Sequence, residues 1–390
     1  MKSKIKNMDK FLFLLMLVYT ILGLIMVFSA SSMTAVLQYG YSESHFFVRQ
    51  LFFVVVAYIV GFFILFMPYK YINLGKNIYK IFAYIAVGIL FFTIVSGEEI
   101  NGVTSWLQIG PAQIQPSEFA KTLIILYLAF SFKNSRKLDS GYKFLMPFVL
   151  PVVCFFLIAG QPDFGTAIIF CLIVFFIFMS LPLRDEKYKK LKIISGCLAL
   201  VAIILFVFSA DILKETNIFN EEQISRFTYK NPCTRYTEKT GYQVCNGFIA
   251  MNNGGLFGVG LGNSTQKYSY LPEAFTDFIF PIIVEELGAI VSSIIIIGFV
   301  LMLLRIKKIA KNAETLYGSI IAIGTFAFIV SHLLINLLGI LAIIPLTGVP
   351  LPFLSNGGSF NMNLIVLLFM TERVAIESKR ARLKREIDSL

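Results

Sequence analysis

The residues of this chain best suited to chemistry are charged groups set among long apolar runs. Asp277 stands in Leu271-Pro272-Glu273-Ala274-Phe275-Thr276-Asp277-Phe278-Ile279-Phe280. Thr276 suits the cap of a following helix, which leaves Asp277 in the first turn with no capping duty and a carboxylate available for proton transfer. Glu285 and Glu286 come next on that helix. Glu285 lies ~12 Å deeper than Asp277 and ~80° round, while Glu286 falls on nearly the opposite face, so the two cannot both line a cavity that Asp277 faces. Glu285 is the candidate contact, and one of the pair is expected to be structural. Glu118 and Lys121, three residues apart behind Pro116, share a helix face. They make either an internal ion pair that holds helices together or a charged wall of a substrate cavity; Gln115 or Ser117 suits the cap of that helix. Asp163, in the tight turn Gln161-Pro162-Asp163-Phe164-Gly165-Thr166, either caps the helix that follows or faces the same cavity. Three prolines and three glycines between Pro345 and Gly358 exclude regular helix there. Such backbone is tolerated at membrane depth only where it is buried in protein or lines a cavity, so Ser355 and Ser359 are candidate contacts as well.

The elements that must position these groups follow from composition. Of the 390 residues 57% are hydrophobic and only 15% charged, with a mean hydropathy of +0.77; a water-soluble domain of this length needs far more charge. The apolar blocks are long enough to cross a hydrocarbon core, which takes roughly 20 helical residues. They predict an all-α membrane protein with ten transmembrane helices near 11–30, 51–68, 81–96, 117–132, 145–160, 164–182, 193–211, 277–303, 316–341 and 358–371. The first block is longer than a signal-peptide core and is read as a retained helix. Lysines and arginines sort onto one side of this arrangement: 26 of the 34 fall in the N-terminal tail, alternate connections and the basic C-terminal tail 372–390. By the positive-inside rule both termini are cytoplasmic. The net charge of +11 is thus a matter of topology and calls for no nucleic acid. Six of the remaining basic residues lie in a long extracytoplasmic loop between helices 7 and 8, roughly 212–276, too long for a plain connection. No soluble domain is long enough to fold alone, so residues 1–390 are expected to form one membrane domain.

Six stretches, in order along the chain, resemble the SEDS family, whose members include FtsW, RodA and SpoVE. They are Asn101-Gly102-Val103-Thr104-Ser105-Trp106; Gln115-Pro116-Ser117-Glu118 with Lys121; Gln161-Pro162-Asp163-Phe164-Gly165-Thr166; the glycine run from Asn253 to Gly262; Leu271 to Phe280; and Pro345 to Ser359. The stretch Asn263-Ser264-Thr265-Gln266-Lys267-Tyr268 looks more like the FtsW branch than the RodA branch. The resemblance implies a peptidoglycan glycosyltransferase of the bacterial cytoplasmic membrane that polymerises lipid II at its outer face, in division or shape. It also implies a class B penicillin-binding protein that crosslinks the strands, besides other division or elongation proteins. The family's proposed catalytic Asp falls on Asp277, and its functionally sensitive polar pair on Glu118 and Lys121. Two positions depart from the family pattern: Asn356 replaces a Tyr, and Phe275 replaces a His or Gln that would serve as a helper base.

The implied reaction needs a base for the acceptor hydroxyl, assigned to Asp277, and positive charge for the leaving pyrophosphate. Phe275, Phe278 and Phe280 around Asp277 are expected to shield its carboxylate and raise its pKa, which suits a base. Lys267, Arg226, Lys230 and Arg235 are candidate charge partners, as is a divalent cation such as Mg or Mn; no protein ligand set for a metal stands out. The glycine run lies in an extracytoplasmic loop with no strand before it, which rejects a dinucleotide site. His332 reads as a hydrogen-bonded core residue, and Cys154, Cys171 and Cys197 as apolar filler. Cys233 and Cys245 share the outer loop, where a disulfide is permitted. The basic tail fits either anionic lipid head groups or a topology anchor. Two other classes compete: a lipid II flippase, which also needs broken backbone and buried charge, and a non-catalytic division scaffold.

Overall fold

A computed structural model describes residues 7–67, 78–100, 103–110, 112–133, 141–183, 186–208, 230–268 and 270–389. Eleven α-helices are found among them: α1 Lys10–Leu37, α2 His45–Phe66, α3 Ile78–Ser96, α4 Pro116–Ser131, α5 Val149–Ala159, α6 Phe164–Ser180, α7 Glu186–Phe208, α8 Lys239–Gly254, α9 Ile279–Lys311, α10 Leu316–Ile340 and α11 Gly358–Asp388. Every expected span falls on one of these helices. By length and composition α1, α2, α9, α10 and α11 can each cross a membrane, and α3, α5 and α6 are shorter apolar helices. Their starts follow local rules. Asp9 caps α1 by accepting from the Leu12 N–H at 3.1 Å, Thr315 caps α10 through the Gly318 N–H at 3.1 Å, and Pro116 opens α4.

The helices are ranked by burial. Of the apolar stretches of α10 and α11, 72% and 78% are buried inside the protein, against 33% for α2 and for α9. α10 and α11 are therefore the axis of the bundle. α11 packs on α2, and α10 on α4, α6 and α9. Isoleucines such as Ile290, Ile294 and Ile297 on α9 turn outward, where only an apolar solvent can cover them.

Three features go beyond the sequence reading. Residues 98–114 form a small antiparallel sheet, β1 Glu98–Ile100, β2 Val103–Ile109 and β3 Ala112–Ile114, in register Glu98↔Trp106 and Gln108↔Gln113. The basic tail is not a separate piece: α11 runs unbroken to Asp388. Its Ser378 hydroxyl accepts from the Glu314 N–H at 3.2 Å, and Arg385 pairs with Glu314. The 230–278 segment is folded rather than loose. Cys233 and Cys245 form a disulfide that ties the 3-10 turn Pro232–Arg235 to α8, and Arg235 pairs with Glu238 at 2.8 Å.

Candidate active site

Asp277 lies in a non-helical turn, two residues before α9 begins. Thr276 does not cap α9; Phe278 occupies that position and offers no side-chain bond. The Thr276 hydroxyl instead donates to Glu273 Oε2 at 2.6 Å and lies 3.2 Å from Asp277 Oδ1. The backbone of the turn is pinned from two sides. Asn336 of α10 donates through Nδ2 to the Asp277 carbonyl at 2.7 Å and to the Val349 carbonyl at 2.8 Å. The Asn356 N–H donates to the Phe275 carbonyl at 2.8 Å. Phe275 packs on Phe46, ring centroids 4.6 Å apart, and Phe278 is fully buried. The carboxylate looks towards the broken 345–357 segment: a side chain at Gly348, whose φ is +67°, would begin 3.8 Å from Asp277 Oδ2.

Asp277 faces a cavity of about 430 Å³. The cavity sits where the 230–278 segment, the small sheet, the start of α4 and α6 and the broken segment meet. Glu118, Asp163, Thr276, Asp277 and Ser359 all line it, so groups scattered over more than 240 positions are brought together as expected. Both readings of Asp163 hold at once. It accepts from the Thr166 N–H at 3.0 Å as a helix cap and from Gln115 Nε2 at 3.0 Å on the cavity wall. Gln115 stands at the cap position of α4 without capping it, because its side chain is turned to Asp163. The Ser359 hydroxyl accepts from the Gln115 N–H at 3.3 Å.

Lys121 lies behind that wall. Its ammonium donates to Glu118 Oε1 at 2.7 Å and sits 3.1 Å from His332 Nε2, while His332 Nδ1 bonds the Phe328 carbonyl at 2.7 Å. A proton on Nδ1 satisfies both contacts, leaving Nε2 to accept from Lys121. Glu118 and Lys121 are each 1% exposed. Glu118 Oε2, itself buried, has no hydrogen-bond partner among the described residues.

Other candidates stand elsewhere. Lys267 and Glu285 are off the cavity. Lys267 is spent on Glu286 at 3.1 Å and on the Gly262 carbonyl at 2.5 Å. Glu285 accepts from the Thr265 N–H at 3.2 Å, the Thr265 hydroxyl at 2.9 Å and Ser264. The helix-wheel argument fails here because Asp277 is not on the helix, and a return loop supplies donors to both glutamates; the single Ser29 hydroxyl stands 2.7 Å from both carboxylate oxygens of Glu286. Ser355 is buried behind the wall, its hydroxyl accepting from the Leu351 N–H at 2.8 Å. It staples the broken segment rather than facing the cavity. Arg235 is held by Glu238 and by the Lys230 carbonyl at 3.2 Å, neither residue on the cavity wall. Arg226 lies outside the described residues.

Sequence reasoning passed over Arg49, Asn336 and the site role of His332. Arg49 on α2 is the one guanidinium or ammonium group on the cavity wall among the described residues. Its only signal was a lone cation at the edge of an apolar span, where a charge without a purpose is costly. No group of three or more His, Cys, Asp or Glu side chains among the described residues is placed to hold a metal ion.

Removing the Asn336 amide strands two buried carbonyls, at about 1–3 kcal/mol each, and frees the turn that carries Asp277. We expect Asn336→Ala to lower kcat by about 10–100-fold, the order that a misplacement of roughly 1 Å costs, with KM little changed. Steady-state rates on the reconstituted protein check this; a larger effect on KM than on kcat would contradict it.

These features define a class: a multi-pass membrane protein with a carboxylate-lined cavity closed on one side by non-helical backbone. The chain belongs to the FtsW/RodA/SpoVE family, whose model, described as "Cell cycle protein", matches residues 9–380. It is 36% identical over 374 residues to the probable peptidoglycan glycosyltransferase FtsW of Bacillus subtilis (strain 168), covering 94% of this chain and 90% of that one. It is 34% identical over 368 residues to stage V sporulation protein E of the same organism, covering 92% and 94%. Rod shape determining protein RodA of Thermus thermophilus shares the fold, with a TM-score of 0.65 at 21% identity over 94% of this chain and 96% of that one. So does a chain from a structure described as "Structural coordination of polymerization and crosslinking by a peptidoglycan synthase complex", with a TM-score of 0.70 at 21% identity over 94% and 97%.

Proposed function

We propose that this chain is a peptidoglycan glycosyltransferase that polymerises lipid II at the outer face of the bacterial cytoplasmic membrane. In this reading it crosses the membrane ten times as one domain with both termini cytoplasmic, and works beside a class B penicillin-binding protein. The observation that carries the reading is the placement of Asp277. The residue, only 9% exposed, lines a cavity in a turn held by Asn336 and Asn356. The relatives named as peptidoglycan glycosyltransferases support the reaction class.

The carboxylate of Asp277 accepts the proton of the acceptor sugar hydroxyl as that oxygen attacks the anomeric carbon of the donor. The new C–O bond forms as the bond from that carbon to the pyrophosphate oxygen breaks, and the polyprenyl pyrophosphate leaves with the electron pair. In-line attack inverts the anomeric centre. The Arg49 guanidinium meets the charge that grows on the leaving group, in a planar fork suited to phosphate oxygens. Gln115, bonded to Asp163, offers further polar wall to the substrate, while Glu118, 1% exposed, holds Lys121 behind it.

Charge-assisted bonds contribute about 1.5–3 kcal/mol each. Arg49→Ala is therefore expected to lower kcat/KM by roughly 10–100-fold, with Arg49→Lys recovering part of the loss. Kinetics with full-length lipid II check this; an unchanged kcat/KM in the Ala variant would remove Arg49 from the site.

The reading itself is tested with purified protein, purified lipid II and the penicillin-binding partner. Glycan chains are the expected product. No chains, but movement of labelled lipid II between the leaflets of vesicles, would transfer the reading to a flippase. Neither activity would leave a scaffold.

A further inference from the structure

The glycine run Gly254–Gly262 takes no part in the cavity, yet Gly254 and Gly258 pack closely against the backbone of α9. α8 descends alongside α9 in the same direction. A Cβ on Gly247 would stand 3.2 Å from the Phe278 ring, and one on Gly254 would stand 2.1 Å from the Val284 carbonyl oxygen. Below Gly254 the chain enters a break in α9 at Gly288, where φ is +80° and ψ is 167°. There the Ala289 N–H donates to the Gly255 carbonyl at 2.9 Å and the Ile290 N–H to the Leu256 carbonyl at 3.2 Å. The chain then turns back, the Val259 and Gly260 N–H groups donating to the Glu285 and Glu286 carbonyls at 2.9 and 3.0 Å. Ser264, Thr265 and Lys267 close the return by satisfying the two glutamates. A side chain at Gly258 or Gly288 would collide with backbone of the facing segment, at 2.3 and 2.4 Å.

The hairpin so formed enters beside α9 and returns on the same side. Its tip carries Leu256, Phe257, Val259 and Leu261, all exposed, Phe257 at 83%, with no charged residue from Gly254 to Gly262. An apolar cluster of this kind facing water is a liability in a protein. Its level on α9 supplies the cover. From Leu287 to Leu304 that helix has no charged residue, a stretch close to the thickness of the hydrocarbon layer, about 30 Å. The tip is hydrogen-bonded to the first residues of that stretch and continues the outward face of Ile290, Val291 and Ile294.

We propose that Gly254–Gly262 is a re-entrant membrane anchor whose Leu256–Phe257 tip is covered by acyl chains at the edge of the outer leaflet. Locked into the break of α9, it fixes the height of the turn bearing Asp277 relative to the bilayer from which a lipid-linked substrate arrives.

The test uses full-length protein, alone in phosphatidylcholine–phosphatidylglycerol vesicles with or without brominated acyl chains. In a Trp106→Phe background, which removes the one native Trp, single tryptophans are placed by Phe257→Trp, by Ile294→Trp as a lipid-facing reference and by Tyr236→Trp as a reference in the disulfide-bonded turn. Brominated lipid should quench Phe257→Trp about as strongly as Ile294→Trp and leave Tyr236→Trp unaffected. Acrylamide should do the reverse. Quenching of Phe257→Trp by acrylamide alone would put the tip in water. Quenching by neither would put it under protein, a second copy included, and either result overturns the anchor. If the Trp106→Phe background does not fold, a nitroxide on Phe257→Cys, with Cys171→Ser and Cys197→Ser, gives the same answer: oxygen must collide with it more often than a water-soluble nickel complex.

Discussion

Asp277→Asn is expected to abolish glycan synthesis while leaving the protein folded. The substitution keeps shape and volume, so the contact with Thr276, the Asn336 bond to the main chain and the packing of Phe275 on Phe46 all survive. What it removes is the ability to take a proton. A positioned general base contributes about 10²–10⁴-fold, enough to push polymerisation below detection for a slow enzyme. Stability should hold or rise, because a neutral amide costs less to bury than a carboxylate. Asp277→Glu keeps the base but displaces it by one methylene, and should retain a trace of activity, on the order of 10²-fold below wild type. The measurement is lipid II polymerisation with the penicillin-binding partner present, beside thermal unfolding in detergent. Glycan chains from the Asn variant at the wild-type rate would end the assignment. An unfolded Asn variant would make Asp277 structural.

Breaking the pair behind the cavity should be the most damaging single change to stability. Lys121→Met leaves the Glu118 carboxylate buried, with its one donor among the described residues gone, and removes the amine that His332 Nε2 faces. Stranding one member of a buried pair costs about 3–5 kcal/mol, whereas replacing both by neutral groups of similar size is often harmless. We therefore expect Lys121→Met to lower the unfolding temperature sharply and the double variant Glu118→Gln with Lys121→Met to regain most of it. Thermal unfolding of both in detergent decides this; equal losses in single and double variants would mean that the pair does not act as a unit. The kinetics of the double variant then separate the two roles given to these residues. A stable but inactive protein makes the charge itself part of the cavity. Full activity confines the pair to holding α4 against α10.

Much of this was legible along the chain. Hydropathy predicted ten of the eleven α-helices found among the described residues, because a stretch that must live in hydrocarbon has few compositions open to it. Asp277, Glu118, Asp163 and Ser359, which the fold sets on one cavity wall, were legible as candidates because polar groups in apolar surroundings need a purpose, and the cap made by Asp163 is a contact between near neighbours. Where partners are distant, the sequence had no means to choose. Lys267 and Glu285 have the right chemistry for a polar cavity, yet the hairpin folds back and joins them to Glu286, Ser264 and Thr265. Asn336 and Arg49 are polar residues in largely apolar helices, and their roles exist only because α10 meets the Asp277 turn and α2 reaches the cavity wall. The glycine run reads locally only as part of an outer loop; the close packing of Gly254 and Gly258 arises only against α9 and its break at Gly288. Residue type and local spacing determined which groups must be buried and which helices carry them. Only the tertiary structure decided which buried group meets which, since a hydrogen bond is set by a few tenths of an ångström between segments that the sequence separates by dozens to hundreds of residues.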